Sequence, residues 1–218
     1  MNKYPVWLDC DVGVDDAIAI MALHALENID LLAISTVAGN APLAHTFPNA
    51  HRMNGLMHTN YPVYRGASRP LVAEPLTAGA FHGENGLGNV QLPIPENTVM
   101  NDTPAWDALY DCARAHPGEL RLIATGPMTN VAIALTKHPD LRELLHTILI
   151  MGGAAVGGNT TPAAEFNIYE DPEAAQILFK SGVPIVMCGL DVTMKAILRP
   201  EDWDELAATG TAAGKFTK

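Results

Sequence analysis

The order of apolar runs and helical segments predicts an α/β fold, with a largely parallel central sheet flanked by helices in a Rossmann-like arrangement. Three observations carry this expectation. Short runs rich in Val, Ile and Leu alternate with segments of helical composition along the whole chain. The runs lack the polar alternation of a half-exposed sheet, so they read as strands covered on both faces. Several of the intervening segments open on a proline, which suits the first turn of a helix.

The strands are expected at residues 6–8, 31–37, 63–64, 120–124, 148–151 and 183–190, and the helices at 15–26, 42–57, 104–115, 127–136, 172–179 and 200–208. The first helical segment is filled with Ala, Ile, Met and Leu after Asp15-Asp16. In 104–115 the apolar Ala105, Leu109 and Ala113 recur at helical spacing. The last segment places Glu201, Asp202 and Asp204 near the positive end of its dipole. Residues 66–101 are different, with Gly, Pro and Asn throughout; an insertion of that length in a compact domain is more often functional than idle. No repeat, low-complexity tract or linker divides the chain, so residues 1–218 read as one domain. No strand follows the 200–208 helix to bury its apolar face, and the domain is therefore expected to be incomplete at its C-terminus.

Composition excludes several classes of function. Thirteen basic against 24 acidic residues give a net charge of −11, which repels phosphate backbones and argues against nucleic acid as a partner. No apolar stretch approaches the roughly 20 residues of a membrane helix. Cys10, Cys112 and Cys188 are scattered, without a metal-binding or disulfide spacing. The first residues lack the apolar core of a secretory signal, so a cytoplasmic location with reduced thiols is expected.

The strongest chemical feature is Leu8-Asp9-Cys10-Asp11-Val12-Gly13-Val14-Asp15-Asp16. An apolar strand ends, a glycine turn follows and a helix begins, which places the acids at the carboxyl edge of the sheet, where open α/β folds form their ligand crevice. Two like charges 4 Å apart repel by about 4 kcal/mol at an effective dielectric of 20. No Lys or Arg stands closer than Lys3 to offset four such groups. A divalent cation answers that need, and all-oxygen ligands select Ca²⁺ or Mg²⁺ over zinc. Helix capping by Asp15 and Asp16 is the simpler use of two of the acids. An Asp-x-Asp after an apolar strand also opens the haloacid dehalogenase-type phosphatases. That pattern expects Thr or Val where Gly13 stands, and it leaves Asp15 and Asp16 unexplained.

With these residues in place, the sequence resembles the nucleoside hydrolases of the inosine-uridine preferring type. Their opening motif, Asp-x-Asp-x-Gly-x-Asp-Asp, is matched by Asp9, Asp11, Gly13, Asp15 and Asp16, with Val12 where the family usually has Pro. Thr36-Val37-Ala38-Gly39-Asn40 is similar to the family's Thr-Val-x-Gly-Asn, and Thr125-Gly126-Pro127-Met128-Thr129-Asn130 to its Thr-Gly-Pro-Leu-Thr-Asn turn. Met151-Gly152-Gly153, Asn159 and Ala164-Glu165-Phe166-Asn167 resemble the ribose-binding segment. His82-Gly83-Glu84-Asn85-Gly86-Leu87, inside the 66–101 insertion, resembles the His-Gly-x-x-Gly-Leu loop. The other seven histidines read as surface or helix-packing residues.

The resemblance implies a nucleoside hydrolase fold and Ca²⁺-dependent cleavage of the N-glycosidic bond of ribonucleosides, in nucleoside salvage, by direct attack of a metal-held water. Asp11, Asp16 and the Thr125 carbonyl are the implied metal ligands, with Asp9 supporting them. Asp11 is the implied general base, Asp15 the partner of the 2′-hydroxyl, and Asn40, Met151, Asn159, Glu165 and Asn167 the further sugar-side contacts. His82 is the candidate for protonating the leaving base. The family's chain continues for roughly another hundred residues, a size within ordinary domain range, and that part carries a His-Asp pair. The competing expectation is a Ca²⁺- and ribose-binding fragment with impaired catalysis. The resemblance also implies a homodimer or homotetramer.

Overall fold

The computed structural model describes residues 3–217. Its elements run in chain order β1 Tyr4–Cys10, α1 Val14–Ala25, β2 Ile29–Thr36, α2 Leu43–Met57, β3 Val63–Arg65, α3 Gly79–His82, α4 Ala105–Ala115 and β4 Leu120–Ala124. They continue with α5 Thr129–Lys137, α6 Leu141–Leu144, β5 Leu145–Met151, α7 Phe166–Glu170, α8 Pro172–Phe179, β6 Ile185–Cys188, α9 Leu190–Thr193, α10 Pro200–Ala208 and α11 Ala212–Phe216.

The six strands form one parallel sheet in the order β3-β2-β1-β4-β5-β6. The expected α/β architecture is therefore the one observed. The strand order reverses between β1 and β4, and open sheets of this kind bind ligands outside the carboxyl ends of the strands at that switch point. Register brings the motifs together there. Asp9 pairs with Ala124 and Cys10 with Thr36, so the loops after β1, β2 and β4 emerge side by side.

Alternate residues of β1 feed two cores. Trp7 joins Leu122, Val131, Ile148 and Leu178 on the face covered by α4, α5 and α8. Val6 and Leu8 join Ala17, Ile20, Phe47 and Met53 beneath α1 and α2. Both faces of the sheet are thus buried, which is why its strands read as unbroken apolar runs. The far edge is less covered: Val186 and Met187 of β6 are exposed, as are Val192, Met194 and Ile197 beyond it.

Two expected elements begin two residues later in the structure, and the helices expected at 42–57 and 104–115 each begin one residue later. The 183–190 run narrows to Ile185–Cys188, because Gly189 caps α9 and Leu190 already belongs to it. The helix expected at 127–136 starts at Thr129, since Pro127 and Met128 complete the turn over the site. The four-residue helices α3, α6 and α9, together with α7 and α11, have no counterpart among the expected elements.

Candidate active site

The acids that follow β1 are sorted by the turn they stand in. Asp9, Asp11 and Asp16 are 1%, 0% and 2% exposed, whereas the Asp15 side chain is largely open to solvent. Asp16 sits in the first turn of α1. Its Oδ2 accepts the Gly13 N–H at 2.8 Å, and its Oδ1 accepts the Thr125 hydroxyl at 2.6 Å. It therefore caps its own helix and ties β1's loop to β4's loop. Val12, between Asp11 and Gly13, has φ of 20°, a value that the locked ring of a proline excludes.

Asp11 accepts a single hydrogen bond and, like Asp9 at its Oδ2, keeps one buried oxygen without a partner. Asp11 Oδ2 accepts the Asn40 N–H at 2.6 Å, while Asp11 Oδ1 is buried without a hydrogen-bond partner. Two glycines make room for it. A Cβ on Gly39 would overlap Oδ2, and one on Gly126 would come within 2.9 Å of Oδ1. Burial first, and the charge of Asp16 second, push the Asp11 carboxyl well above the usual carboxylate range. Burial and the neighbouring Asp15 charge raise Asp16 in the same direction. Asp9 lies deeper in the sheet edge. Its Oδ1 accepts from the Ser35 hydroxyl and from Asn130 Nδ2 at 2.7 Å, and burial raises it to about 7. The nucleophile position of the phosphatase pattern is thus held inside a structural network.

Above the acids lies a cavity of about 500 Å³. Asp15, Asn40 and Thr125 line it, as do Met151, Asn159, Glu165 and Asn167 from the β5–α7 segment and Leu76, Thr77, Ala78, Phe81 and His82 from the insertion. Asp11 and Asp16 lie behind this lining, joined to it through Asn40 and Thr125. The residues singled out in the sequence therefore converge on one place from five separate segments.

Their observed partners differ from a simple sugar-binding picture. Glu165 is 2% exposed, and its carboxylate accepts the N–H groups of Gly153, Asn167 and Ile168, capping α7. Asn167 Nδ2 donates to the Thr125 carbonyl at 2.8 Å and the Met151 carbonyl at 3.1 Å, so the Thr125 carbonyl has a protein donor on it. Asn159 is exposed at the rim, where its Oδ1 accepts the Phe166 N–H. His82 Nδ1 accepts the Val14 N–H at 3.3 Å and stands 3.7 Å from Asp15. That contact assigns the ring proton of neutral His82 to Nε2. Asp15 and His82 also line a second cavity, of about 420 Å³, with Trp203 and Phe216.

Three residues of this region carry roles that the sequence does not assign, although Asn130 stands in the Thr125–Asn130 motif. Asn130 bridges Asp9, the Thr36 carbonyl and the Ala67 N–H. Glu170 and Asp171 hold the insertion by its backbone. Only Asp171 carries a local signal, an Asp before Pro-Glu at a helix start, and it caps α8 through the Ala174 N–H.

No group of three or more His, Cys, Asp or Glu placed to hold a metal ion occurs among the described residues. A hard cation would still find a fitting donor set in two buried carboxyls and neutral oxygens. The unpartnered Asp11 Oδ1 is the observation that favours it, because such an atom costs stability unless something satisfies it. No helix among the described residues is long and apolar enough to cross a membrane.

Comparison with known proteins gives one consistent answer. Residues 6–218 match the family model described as inosine-uridine preferring nucleoside hydrolase. A pyrimidine-specific ribonucleoside hydrolase, RihA, of Citrobacter koseri is 47% identical over 207 residues, covering 94% of this chain and 66% of the relative. Among solved structures, a purine-preferring ribonucleoside hydrolase from Gardnerella vaginalis superimposes with a TM-score of 0.93 at 34% identity, over 98% of this chain and 69% of that one. A plant nucleoside hydrolase gives the same TM-score and identity, over 98% and 68%. The chain thus spans about two thirds of the length of the relatives it matches. By sequence and by fold it belongs to the inosine-uridine preferring nucleoside hydrolase family.

Proposed function

We propose that this chain carries the sugar side of a nucleoside hydrolase site, which cleaves the N-glycosidic bond of ribonucleosides to ribose and free base. The observation that carries the reading is the unpartnered, buried Oδ1 of Asp11 behind a cavity walled by Asp15, Asn40 and Asn167. Pyrimidine ribonucleosides are the proposed preferred substrates, supported by the names of the curated relatives at 46% and 47% identity.

Asp11, Asp16 and an oxygen of Thr125 would hold a divalent cation, for which Ca²⁺ is the proposed ion. When bound, such an ion ionises buried acids, acidifies water and engages vicinal hydroxyls. The remaining work falls to the chain's own groups. Ionised Asp11 takes the proton of the attacking water, the role of a general base. Asp15, exposed at the cavity wall, accepts a sugar hydroxyl. Asn40, Met151, Asn159, Glu165 and Asn167 shape the surface that orients the ribose for attack. The acids also stabilise positive charge developing at the sugar carbon. His82, with its proton on Nε2, is the donor available to the departing base. Attack by water is direct, with no ribosyl–enzyme bond.

The test is a panel of uridine, cytidine and inosine, with reducing sugar measured before and after chelation. Release of ribose that chelation abolishes and Ca²⁺ restores supports the reading. A chain that binds Ca²⁺ and ribose without cleaving any nucleoside would replace it with the binding-fragment alternative. Trapping of a ribosyl–enzyme adduct would overturn direct attack. The proposed assembly, a homodimer or homotetramer, is checked by light scattering.

A further inference from the structure

The insertion is anchored beyond the cavity by buried Leu87 and by Asn49 and Arg52 of α2, and its cavity-lining part is held by a few backbone contacts. Asp171 Oδ2 accepts the Leu71 N–H at 2.9 Å. Both oxygens of Glu170 accept the Leu76 N–H at 3.1 Å. The Asn40 carbonyl accepts the Ala78 N–H at 3.0 Å, and His82 receives the Val14 N–H. Leu76 is the first cavity-lining residue of the insertion and His82 the last. Glu170 is itself 1% exposed and does not line the cavity. It stands at the end of α7, whose opposite end is capped by Glu165 at the cavity wall.

We propose that Glu170 is a positioning residue, whose carboxylate fixes the start of the Leu76-to-His82 wall and so sets where that wall stands over the sugar. The inference rests on the proposed nucleoside hydrolase reading for its kinetic consequence, though not for its structural one. A short helix thereby couples two sides of the cavity, with Glu165 holding Gly153 at one end and Glu170 holding Leu76 at the other. A carboxylate accepting a backbone N–H is a charge-assisted bond, stronger than a neutral pair. Burial lifts Glu170 to about 7 against the pull of the Leu76 N–H, with the Asp171 charge adding to the rise. The charged group acting on this carboxylate is Asp171; along the insertion the nearest charges in sequence, Arg69 and Glu74, are exposed and pair with each other at 3.5 Å. As pH falls through neutrality Glu170 gains a proton, and its hold on Leu76 weakens.

The experiment compares the full chain with Glu170→Ala and Glu170→Gln, by amide hydrogen exchange without substrate and by nucleoside kinetics. In Glu170→Ala, exchange across residues 76–82 is expected to rise about tenfold, as loss of one charge-assisted bond implies, while exchange in β4 and α5 stays unchanged. KM rises by a similar factor and kcat changes less. Glu170→Gln retains one acceptor and is expected to fall between the two. In the wild type KM rises from pH 8 to pH 6, and in Glu170→Gln that rise is smaller than in the wild type by the share of Glu170, the remainder belonging to the raised acids Asp9, Asp11 and Asp16. Unchanged exchange at 76–82 in Glu170→Ala overturns the proposal. So does exchange that rises evenly over the whole chain, which would make Glu170 a general stabilising residue. If the wild type cleaves no nucleoside, the proposed function fails while the exchange measurement still decides the tether.

Discussion

The floor of the cavity and its insertion wall are built on opposite principles. The floor is set by strand ends: Asp11 and Asp16 are buried, enclosed by Gly39 and Gly126, and tied to β2 and β4 loops by side-chain hydrogen bonds. The wall is irregular chain that ends in the single turn of α3, with Phe81 almost wholly exposed, pinned by side chains that reach its backbone from α7 and the α8 cap. Rigid secondary structure places the buried carboxyls, and a tethered segment places the groups proposed to meet the leaving part of the substrate. Loops on a rigid scaffold commonly carry recognition in this way.

Substitutions on the two sides should therefore separate. The largest effect is expected from Asp11→Asn, which removes the proposed base and one proposed cation ligand. Ribose release should drop by about 10³-fold or more, and Ca²⁺ should no longer raise the melting temperature. Retained activity would place the base elsewhere. Gly39→Ala comes next, because its Cβ overlaps Asp11 Oδ2. Overpacking at this point should cost about 1–3 kcal/mol of stability and most of the activity, read by thermal unfolding and the nucleoside assay together. His82→Ala tests the wall. A loss of about 10–10²-fold in kcat, with Ca²⁺ stabilisation and melting temperature intact, would assign it to the leaving group; loss of Ca²⁺ binding would merge wall and floor.

The smallest effect on catalysis is expected from Asp9→Asn, whose value lies in its sign. Asp9 titrates at about 7 in the folded chain against an ordinary value of 3.8. Its folded-state value is raised, so its contribution to stability is present at low pH and is lost as pH rises through neutrality. Without divalent ions, the wild type should lose stability from about pH 4 to pH 7, and Asp9→Asn should make that loss shallower, leaving the share of Asp11, Asp16 and Glu170, which are raised in the same direction. Urea unfolding across this range decides it. A profile whose slope is the same in the wild type and Asp9→Asn would overturn the raised value of Asp9.

All six strands were legible because each is a local apolar run, and the sheet's parallel character followed from their double-sided burial. The limits of two elements were not legible. Gly189 is apolar context by composition but acts as the cap of α9, and Pro127, a natural helix opener, is instead spent on the turn beside Gly39. The acid cluster was readable because its members lie within eight residues of one another. Glu170 and Asp171 escaped notice for the opposite reason, as their partners Leu76 and Leu71 lie 94 and 100 residues away. Nothing in a Tyr-Glu-Asp-Pro sequence announces which distant N–H groups its carboxylates will meet.

By itself the amino-acid order determined the alternation of strand and helix and the placing of four aspartates at one strand-to-helix junction. Both depend on neighbours along the chain, through periodicity and turn chemistry. Only the tertiary structure decided which of those acids are buried, that Asp11 keeps an unsatisfied oxygen while Asp15 faces solvent, and that α7 braces the insertion. Desolvation and hydrogen bonding are set by atoms that arrive from β2, β4 and the insertion, and their arrival is a property of packing rather than of sequence spacing.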